Sequence, residues 1–157
     1  MKRLALKFGG TSVGTIEKIK KVANIIKTRH SENNEIIVIV SAMSGTTDDL
    51  VKKSSSISKN FDNRESDVLL SSGEQVSCSL LSGAIIDLGL KARSWLGWQV
   101  PIITNDSHRS SQIIKIKTDE ISDFQVNNEH TQCLSSFLLN VILQLQYYYE
   151  KHQFLSF

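Results

Sequence analysis

The most constraining feature of this sequence is an apolar run that ends in a turn of small residues and leads into a helix-forming segment. It occurs twice. The first run, residues 3–8, leads into GGTS, and the second, IIVIV at residues 36–40, leads into SAMSGTT. A continuous β-branched run is typical of a strand covered on both faces. Strands that alternate with helices predict an α/β fold, a mostly parallel sheet with helices on both faces.

The segments after these turns are typical of helices. Residues 15–30 predict a helix with one apolar stripe at helical spacing, made of Ile16, Ile19, Ala23 and Ile26. A second helix is expected after SAMSGTT, and residues 54–66 are expected to form a mobile loop or a broken helix. A long third helix is predicted to begin at Ser72, which forms a capping box with Gln75, and to stop at Gly89.

Further strands are predicted after the third helix. Residues 91–104 hold one or two, with Pro101 at an edge or at a strand start, and residues 110–121 alternate like another strand or hairpin arm. In open sheets of this kind, ligands bind at the carboxyl ends of the strands. Both turns of small residues lie at such ends, so the sequence predicts a ligand site there.

The composition excludes several classes of function. The chain has 157 residues, enough for one domain, and a net charge of +2 that is spread along the sequence. We therefore expect no nucleic acid partner and no membrane association. Cys78 and Cys133 give neither a disulfide framework nor a metal-ligand spacing, which suits a reducing cytoplasm. The N-terminus does not resemble a signal peptide, and no apolar run is long enough to span a bilayer.

The first turn carries the residue types of a phosphate site. Gly9 and Gly10 allow close approach of the backbone and present successive N–H groups, and the following helix offers its N-terminus. Lys7 adds a positive charge, while Thr11 and Ser12 add donors. The order differs from a P-loop, in which the lysine follows the glycines. An ordinary strand-to-helix turn with a solvated lysine explains the same residues equally well.

The second turn and the third helix are less specific by themselves. Ser41, Ser44, Thr46 and Thr47 offer hydroxyls to a carboxylate or phosphate, but simple capping with Thr47 as N-cap accounts for them. Glu74, in SSGE, is expected in the first turn of the third helix. There it either complements the helix dipole or pairs with the ammonium group of a substrate.

Taken together and in this order, the three segments resemble the amino-acid kinase family, and within it the aspartokinases. The matching text runs from about residue 3 to about residue 120: LKFGGTSVG, IVIVSAMSGTTDDL, LLSSGEQVSCSLLSGAIIDLGLKA and SWLGWQVPIITNDSH. Related kinases that act on glutamate, N-acetylglutamate, carbamate or nucleoside monophosphates lack this combination. A different small-molecule kinase of the same fold is therefore the less favoured interpretation.

The resemblance implies transfer of the γ-phosphoryl group of MgATP to the side-chain carboxylate of L-aspartate. This reaction opens the pathway to lysine, threonine, methionine and diaminopimelate. Lys7 resembles the lysine that neutralises the transferring phosphoryl group and is the catalytic candidate. Phe8, Gly9 and Gly10 resemble the rest of the nucleotide-phosphate loop, and Ser41 resembles a residue near the phosphates. Mg²⁺ would be carried by ATP, and no protein metal ligand is predicted.

The resemblance also implies an aspartate site. Gly45, Thr46 and Thr47 look like the turn that binds aspartate, and Glu74 resembles the carboxylate that holds its amino group. Direct attack by the acceptor carboxylate needs no protein nucleophile, which fits the absence of a Ser-His-Asp or Cys-His set. Phosphoryl transfer depends mainly on positioning and on positive charge near the phosphate oxygens.

The pattern stops near residue 122. We predict that residues 1–121 are the N-terminal part of an amino-acid kinase domain and that residues 122–157 are a non-family tail, irregular or helical. The last glycine is Gly97, and the tail shows no counterpart of the GRGGSD-like segment that the resemblance leads us to expect. One hypothesis is a disrupted reading frame; the alternative is a genuine extra helix over LSSFLLNVILQLQ.

Two functions follow from this division. The first is an aspartate kinase by descent, truncated and with little or no activity as an isolated chain. The alternative is a non-catalytic remnant or subunit that binds aspartate or a phosphate group. Assembly as a homo-oligomer, or with a second chain that completes the site, is open at this stage.

Overall fold

The computed structural model describes residues 2–32, 34–96, 99, 102–105, 112–116, 131–135 and 153–156. Its helices are α1 (Ile16–Ser31), α2 (Thr46–Ile57) and α3 (Asn63–Asp87). Its strands are β1 (Lys2–Phe8), β2 (Asn34–Val40), β3 (Ala92–Trp95), β4 (Ile102–Thr104), β5 (Ile113–Ile116), β6 (Thr131–Ser135) and β7 (Gln153–Ser156).

The main sheet is parallel, as predicted for an α/β fold. It has five strands in the order β3-β6-β2-β1-β7, and every described pairing in it is parallel. β1 and β2 are neighbours joined by α1, with Leu4 opposite Ile36 and Phe8 opposite Val40. The two strands therefore end side by side, which brings the turns that follow them to one edge of the sheet.

The buried core lies on one face of this sheet, beneath α1 and α3. Side chains alternate across a strand, so every second residue of β1 and β2 enters the core. The strand members are Leu6, Phe8, Ile36, Val38 and Val40. The helix members are Ile19, Val22, Ala23, Ile26, Cys78, Leu81 and Ile85. Ile39, on the opposite face, is also fully buried, as the continuous β-branched run predicts.

Helix α1 confirms the predicted helix and changes one member of its apolar stripe. Thr15 is the N-cap, and its side chain accepts a hydrogen bond from Lys18 N. Ile16, predicted to be buried, is 47% exposed, and Val22 takes a place in the core instead. Ile16 is the first residue of α1, and helical spacing alone misjudges its burial.

The second and third helices differ most from the sequence prediction. α2 continues through Ile57, and α3 begins at Asn63 with Asp62 as N-cap, so most of the predicted loop over residues 54–66 is helical. The capping box at Ser72 is wrong, because Ser72 lies inside α3 and its hydroxyl donates to Leu69 O at 2.7 Å. No glycine or proline interrupts the sequence between Gly45 and Gly73, so nothing local stops α3 from starting earlier.

The later segments confirm a strand within residues 110–121, predicted as a strand or hairpin arm, and add two strands that were not predicted. β4 and β5 pair antiparallel, as the alternation in residues 110–121 suggests. β6 lies between β2 and β3, and β7 pairs with β1 at the other edge, so two pieces of the tail are strands. Most of LSSFLLNVILQLQ lies outside the described residues. Among the described helices, none combines the length and apolar character required to cross a membrane.

Candidate active site

The first turn follows β1 at the carboxyl edge of the sheet. Lys7, the next-to-last residue of β1, is half-buried and opposite Ile39 of β2. Ser12 N donates to Gly9 O at 2.9 Å, which closes a tight turn. A Cβ placed on Gly9 would meet no heavy atom of the described residues within 4 Å, so on their side the space beside this backbone is open to a ligand. Open backbone next to a lysine fits the predicted phosphate cradle.

A second ammonium group lies on the same turn. Lys18, in the first turn of α1, donates from Nζ to Thr11 O at 2.9 Å. The turn thus has Lys7 at its start and Lys18 against its backbone. Both cations, together with the N-terminal end of α1, favour an anion at this edge of the sheet.

The second turn is hydrogen-bonded to the first. Ser41 N donates to Phe8 O at 3.2 Å, and Ser44 N donates to Gly10 O at 3.1 Å. The two turns also pack closely, because a Cβ on Gly10 would lie only 2.6 Å from Ala42 O. Gly10 is therefore required by this packing between the turns, and the open position is Gly9.

The second turn leads into α2 through a residue with a positive φ. Gly45 has a φ of 83° and is the N-cap of α2, with no side-chain cap. Thr46 and Thr47 are the first residues of the helix, so the prediction of Thr47 as N-cap is wrong. A left-handed residue at this point strongly favours glycine. Thr46 is half-buried and Thr47 is exposed, and both belong to α2 itself, since its N-cap is Gly45.

Helix α3 packs against the second turn through its middle. A Cβ on Gly73 would lie 3.1 Å from Thr46 Cγ2 and 3.2 Å from Ala42 Cβ. One turn later, Ser77 Oγ donates to Ser41 O at 2.8 Å. Glu74 lies between these contact points and is half-buried. The three predicted segments thus meet around Ala42.

The position of Glu74 corrects one of its two interpretations. It was expected in the first turn of a helix, but α3 begins eleven residues before it, at Asn63. Complementing the helix dipole therefore does not account for Glu74, because that effect is confined to the first turn. Glu74 instead follows Gly73 in the part of α3 that contacts the second turn, which is compatible with a substrate ammonium partner.

The electrostatics of α3 also involve Cys78, one turn after Glu74. Burial raises the pKa of the Cys78 thiol to about 11; a hydrogen bond from the Trp95 backbone lowers it, and the nearby negative charge of Glu74 raises it. The thiol is fully buried and takes no part in a disulfide. It is therefore protonated at neutral pH, and it is unreactive because the nucleophile is the thiolate.

The residues that bind α3 to the turns were missed by sequence reasoning. Gly73 and Ser77 are small residues at i and i+4, so they share one face of the helix. That spacing is the signal that could have indicated a close helix contact. In the described part of the chain, no three His, Cys, Asp or Glu side chains gather as a metal site requires.

Comparison with known proteins shows which family these segments match. Residues 2–137 match the amino acid kinase family. An aspartokinase from Rickettsia bellii (strain RML369-C) is 41% identical over 143 residues, which are 89% of this chain and 33% of that protein. The crystal structure of aspartate kinase from Synechocystis matches with a TM-score of 0.73 and 38% identity, over 85% of this chain and 21% of that one.

A more distant solved structure supports the fold alone. E. coli aspartokinase III in complex with aspartate and ADP matches with a TM-score of 0.61 and 20% identity, over 85% of this chain and 40% of that one. The chain spans about a third of the length of its Rickettsia bellii relative. The family match also continues past residue 121 and includes β6.

Proposed function

Because this chain belongs to the amino acid kinase family, we propose that it carries the aspartate-binding half and the first phosphate loop of an aspartate kinase. The reaction is transfer of the γ-phosphoryl group of ATP to the side-chain carboxylate of L-aspartate. The observation that carries the proposal is the meeting of both turns and α3 around Ala42, where Gly10, Gly73 and Ser41 make their contacts.

On the phosphate side, Lys7 neutralises charge on the transferring phosphoryl group, and Phe8, Gly9 and Gly10 form the loop along the phosphates. The open space beside Gly9 supports this role, because phosphate oxygens must approach the backbone N–H groups closely. Ser41, hydrogen-bonded to the end of β1, lies next to the same loop. Mg²⁺ arrives with ATP and supplies further positive charge at the phosphate oxygens.

On the substrate side, Gly45, Thr46 and Thr47 bind aspartate at the N-terminal end of α2. Backbone N–H groups and hydroxyls at a helix N-terminus suit a carboxylate. Glu74 pairs with the substrate ammonium from the facing surface of α3. Gly73 supports this arrangement, because its contact with Thr46 holds the two elements together.

The proposal has a second part, which concerns the isolated 157-residue chain. We propose that it is truncated relative to an active kinase and turns over little or no aspartate alone. The chain covers 33% of the length of its Rickettsia bellii relative. It would act in the cytoplasm, in the pathway to lysine, threonine, methionine and diaminopimelate, alone as a homo-oligomer or with a complementing chain. The alternative is a non-catalytic module that binds aspartate or phosphate.

Calorimetry on the full chain tests the binding roles. Titrations use aspartate, MgATP and both together. Lys7→Ala should weaken MgATP binding and Glu74→Gln should weaken aspartate binding, each about tenfold or more, because each removes a charge-assisted contact. Lys21→Ala and Asp87→Asn are matched controls on exposed helix positions and should change neither affinity.

The outcomes separate the alternatives. A chain that binds neither ligand contradicts the proposal, and one that binds aspartate without MgATP supports the non-catalytic module. Turnover is measured with ATP, aspartate and hydroxylamine, which traps the acyl phosphate. Turnover at a rate typical of enzymes, on the order of 10 per second, contradicts the second part of the proposal.

A further inference from the structure

The buried hydroxyl of Ser77 joins two segments that are far apart in the sequence. Ser77 is fully buried, and its Oγ donates to Ser41 O at 2.8 Å across a separation of 36 residues. A second acceptor, Glu74 O in the preceding turn of α3, lies 3.1 Å away. The hydroxyl has one proton, and the shorter distance favours Ser41.

Other serines of α3 show that this contact is not the ordinary behaviour of a helical serine. Ser71 and Ser72 each donate to the carbonyl three residues earlier, at 2.8 and 2.7 Å, and so remain within the helix. Ser82 is also buried, and its hydroxyl has no partner among the described residues. Of these serines, Ser77 is the one whose hydroxyl reaches the second turn.

The location of this bond suggests what it controls. Ser41 begins the second turn, and Glu74 precedes Ser77 by one helical turn. Gly73 makes the neighbouring contact, where Thr46 and Ala42 approach within 3.1 and 3.2 Å of an added Cβ. The bond and the contact together fix the distance between the second turn and α3.

We propose that Ser77 is a positioning residue for aspartate. Its hydroxyl holds the second turn against α3. Residues 45–47 and the Glu74 carboxylate thereby keep the separation needed to bind a carboxylate and the ammonium group of the same aspartate. The inference rests on the proposed function, in which these two groups bind the same substrate. Ser77 itself does not touch the substrate.

The test compares the full-length wild type with Ser77→Ala, Ser77→Cys and Ser82→Ala. Ser82→Ala is the matched control, because it removes a buried hydroxyl from the same helix that does not bond to the turn. Ser77→Cys keeps a side chain of similar shape with a much weaker donor, and it serves if Ser77→Ala does not fold. The measurements are aspartate affinity by calorimetry, the urea midpoint, and hydrogen exchange at Ser44 N and Thr46 N, which are bonded to Gly10 O and Met43 O.

Ser77→Ala should weaken aspartate binding about tenfold and speed exchange at both amides by a similar factor, as expected for one lost buried hydrogen bond. Ser77→Cys should change both in the same direction, and Ser82→Ala should change neither. The affinity is measured where every variant is fully folded. A purely structural serine would lower the urea midpoint and leave that affinity unchanged.

The two proposals fail in different ways. Wild-type affinity for aspartate in a folded Ser77→Ala or Ser77→Cys variant overturns the role of Ser77 and leaves the proposed function intact. A wild-type chain that binds no aspartate overturns the proposed function. If the wild type binds no aspartate, hydrogen exchange still tests whether Ser77 holds the turn. Unchanged exchange of the Ser44 and Thr46 amides in the Ser77 variants overturns that claim, and faster exchange supports it.

Discussion

At the scale of single residues, Ser77 and Ser82 show how one residue type takes opposite roles on one helix. Both are buried, but Ser77 donates to Ser41 O whereas the Ser82 hydroxyl has no partner in the described part of the chain. A buried polar group without a hydrogen bond costs free energy. We therefore expect Ser82→Ala to raise the free energy of unfolding by about 1 kcal/mol, helped by the higher helix propensity of alanine. Urea denaturation measures this, and a destabilised variant would contradict it.

Cys78 predicts a specific dependence of stability on alkaline pH. Burial raises the pKa of the folded thiol from its ordinary 9.0 to about 11. The folded state thus favours the neutral thiol, so this contribution is complete below pH 9 and is lost as the pH rises through 11. It amounts to about 2 to 3 kcal/mol. Urea denaturation at several pH values should show the difference between wild type and Cys78→Ala shrinking by that order over this interval. A constant difference between the two proteins would contradict the prediction.

Gly9 and Gly10 are adjacent, but alanine substitutions at the two positions should change stability by different amounts. A Cβ at position 10 would lie 2.6 Å from the backbone oxygen of Ala42, which cannot move without shifting the second turn. One at position 9 meets no atom of the described part of the chain within 4 Å. Gly10→Ala should therefore destabilise the protein by about 1 to 3 kcal/mol. Gly9→Ala should be nearly neutral for stability but should weaken MgATP binding if phosphate occupies that space. Equal losses of stability in both variants would contradict this packing.

At the scale of elements, the sequence offers two possible starts for α3, and the helix uses the earlier one. Asp62 and Glu65 provide an N-terminal pattern, with Asp62 Oδ1 accepting from Glu65 N at 3.1 Å. Ser72 and Gln75 provide a similar pattern ten residues later that the fold does not use. The earlier start adds residues 63–71 to the helix, and one of them, Ser66, is buried. Where two capping patterns are similar, packing thus decides at which of them the helix begins.

The N-cap of α3 gives a test at this scale. Asp62→Ala should lower the free energy of unfolding by about 1 kcal/mol, because an N–H at the helix start loses its acceptor. Asp87→Ala is the matched control at the last residue of α3. There a carboxylate opposes the helix dipole, so its removal should be neutral or stabilising by a few tenths of a kcal/mol, roughly. Thermal denaturation distinguishes the two, and an equal loss in both would argue against Asp62 as the cap.

At the scale of the whole molecule, the sheet depends on a strand from the end of the chain. β6 pairs with β2 on one side and with β3 on the other, so it joins the strands that precede and follow the helices α2 and α3. The family match ends at residue 137, just after β6. The domain boundary at residue 121 remains a prediction. It can be tested by truncation, because β6 lies beyond it.

Truncation tests the contribution of β6. A chain of residues 1–121 leaves facing edges of β2 and β3 unpaired, and it should lose the cooperative unfolding transition, since unpaired strand edges inside a sheet are costly. A chain of residues 1–137 keeps β6 and removes β7, an edge strand, so it should keep a cooperative transition at lower stability. Circular dichroism during heating provides the measurement. A cooperative transition at the wild-type midpoint for residues 1–121 would show that β6 is dispensable.

The sequence by itself determined the features that depend on neighbours a few residues away. The first two strands, the helix over residues 15–30, the strand within residues 110–121 and the helix stop at Gly89 all follow from local patterns. Only the tertiary structure decided the burial of Val22 in place of Ile16, the location of Glu74 within α3, the bond between Ser77 and Ser41, and the insertion of β6 between β2 and β3. The physical reason is distance along the chain. A turn or cap is stabilised by groups a few residues away. The other features depend on contacts between segments that are tens of residues apart, and a local sequence pattern does not indicate those contacts.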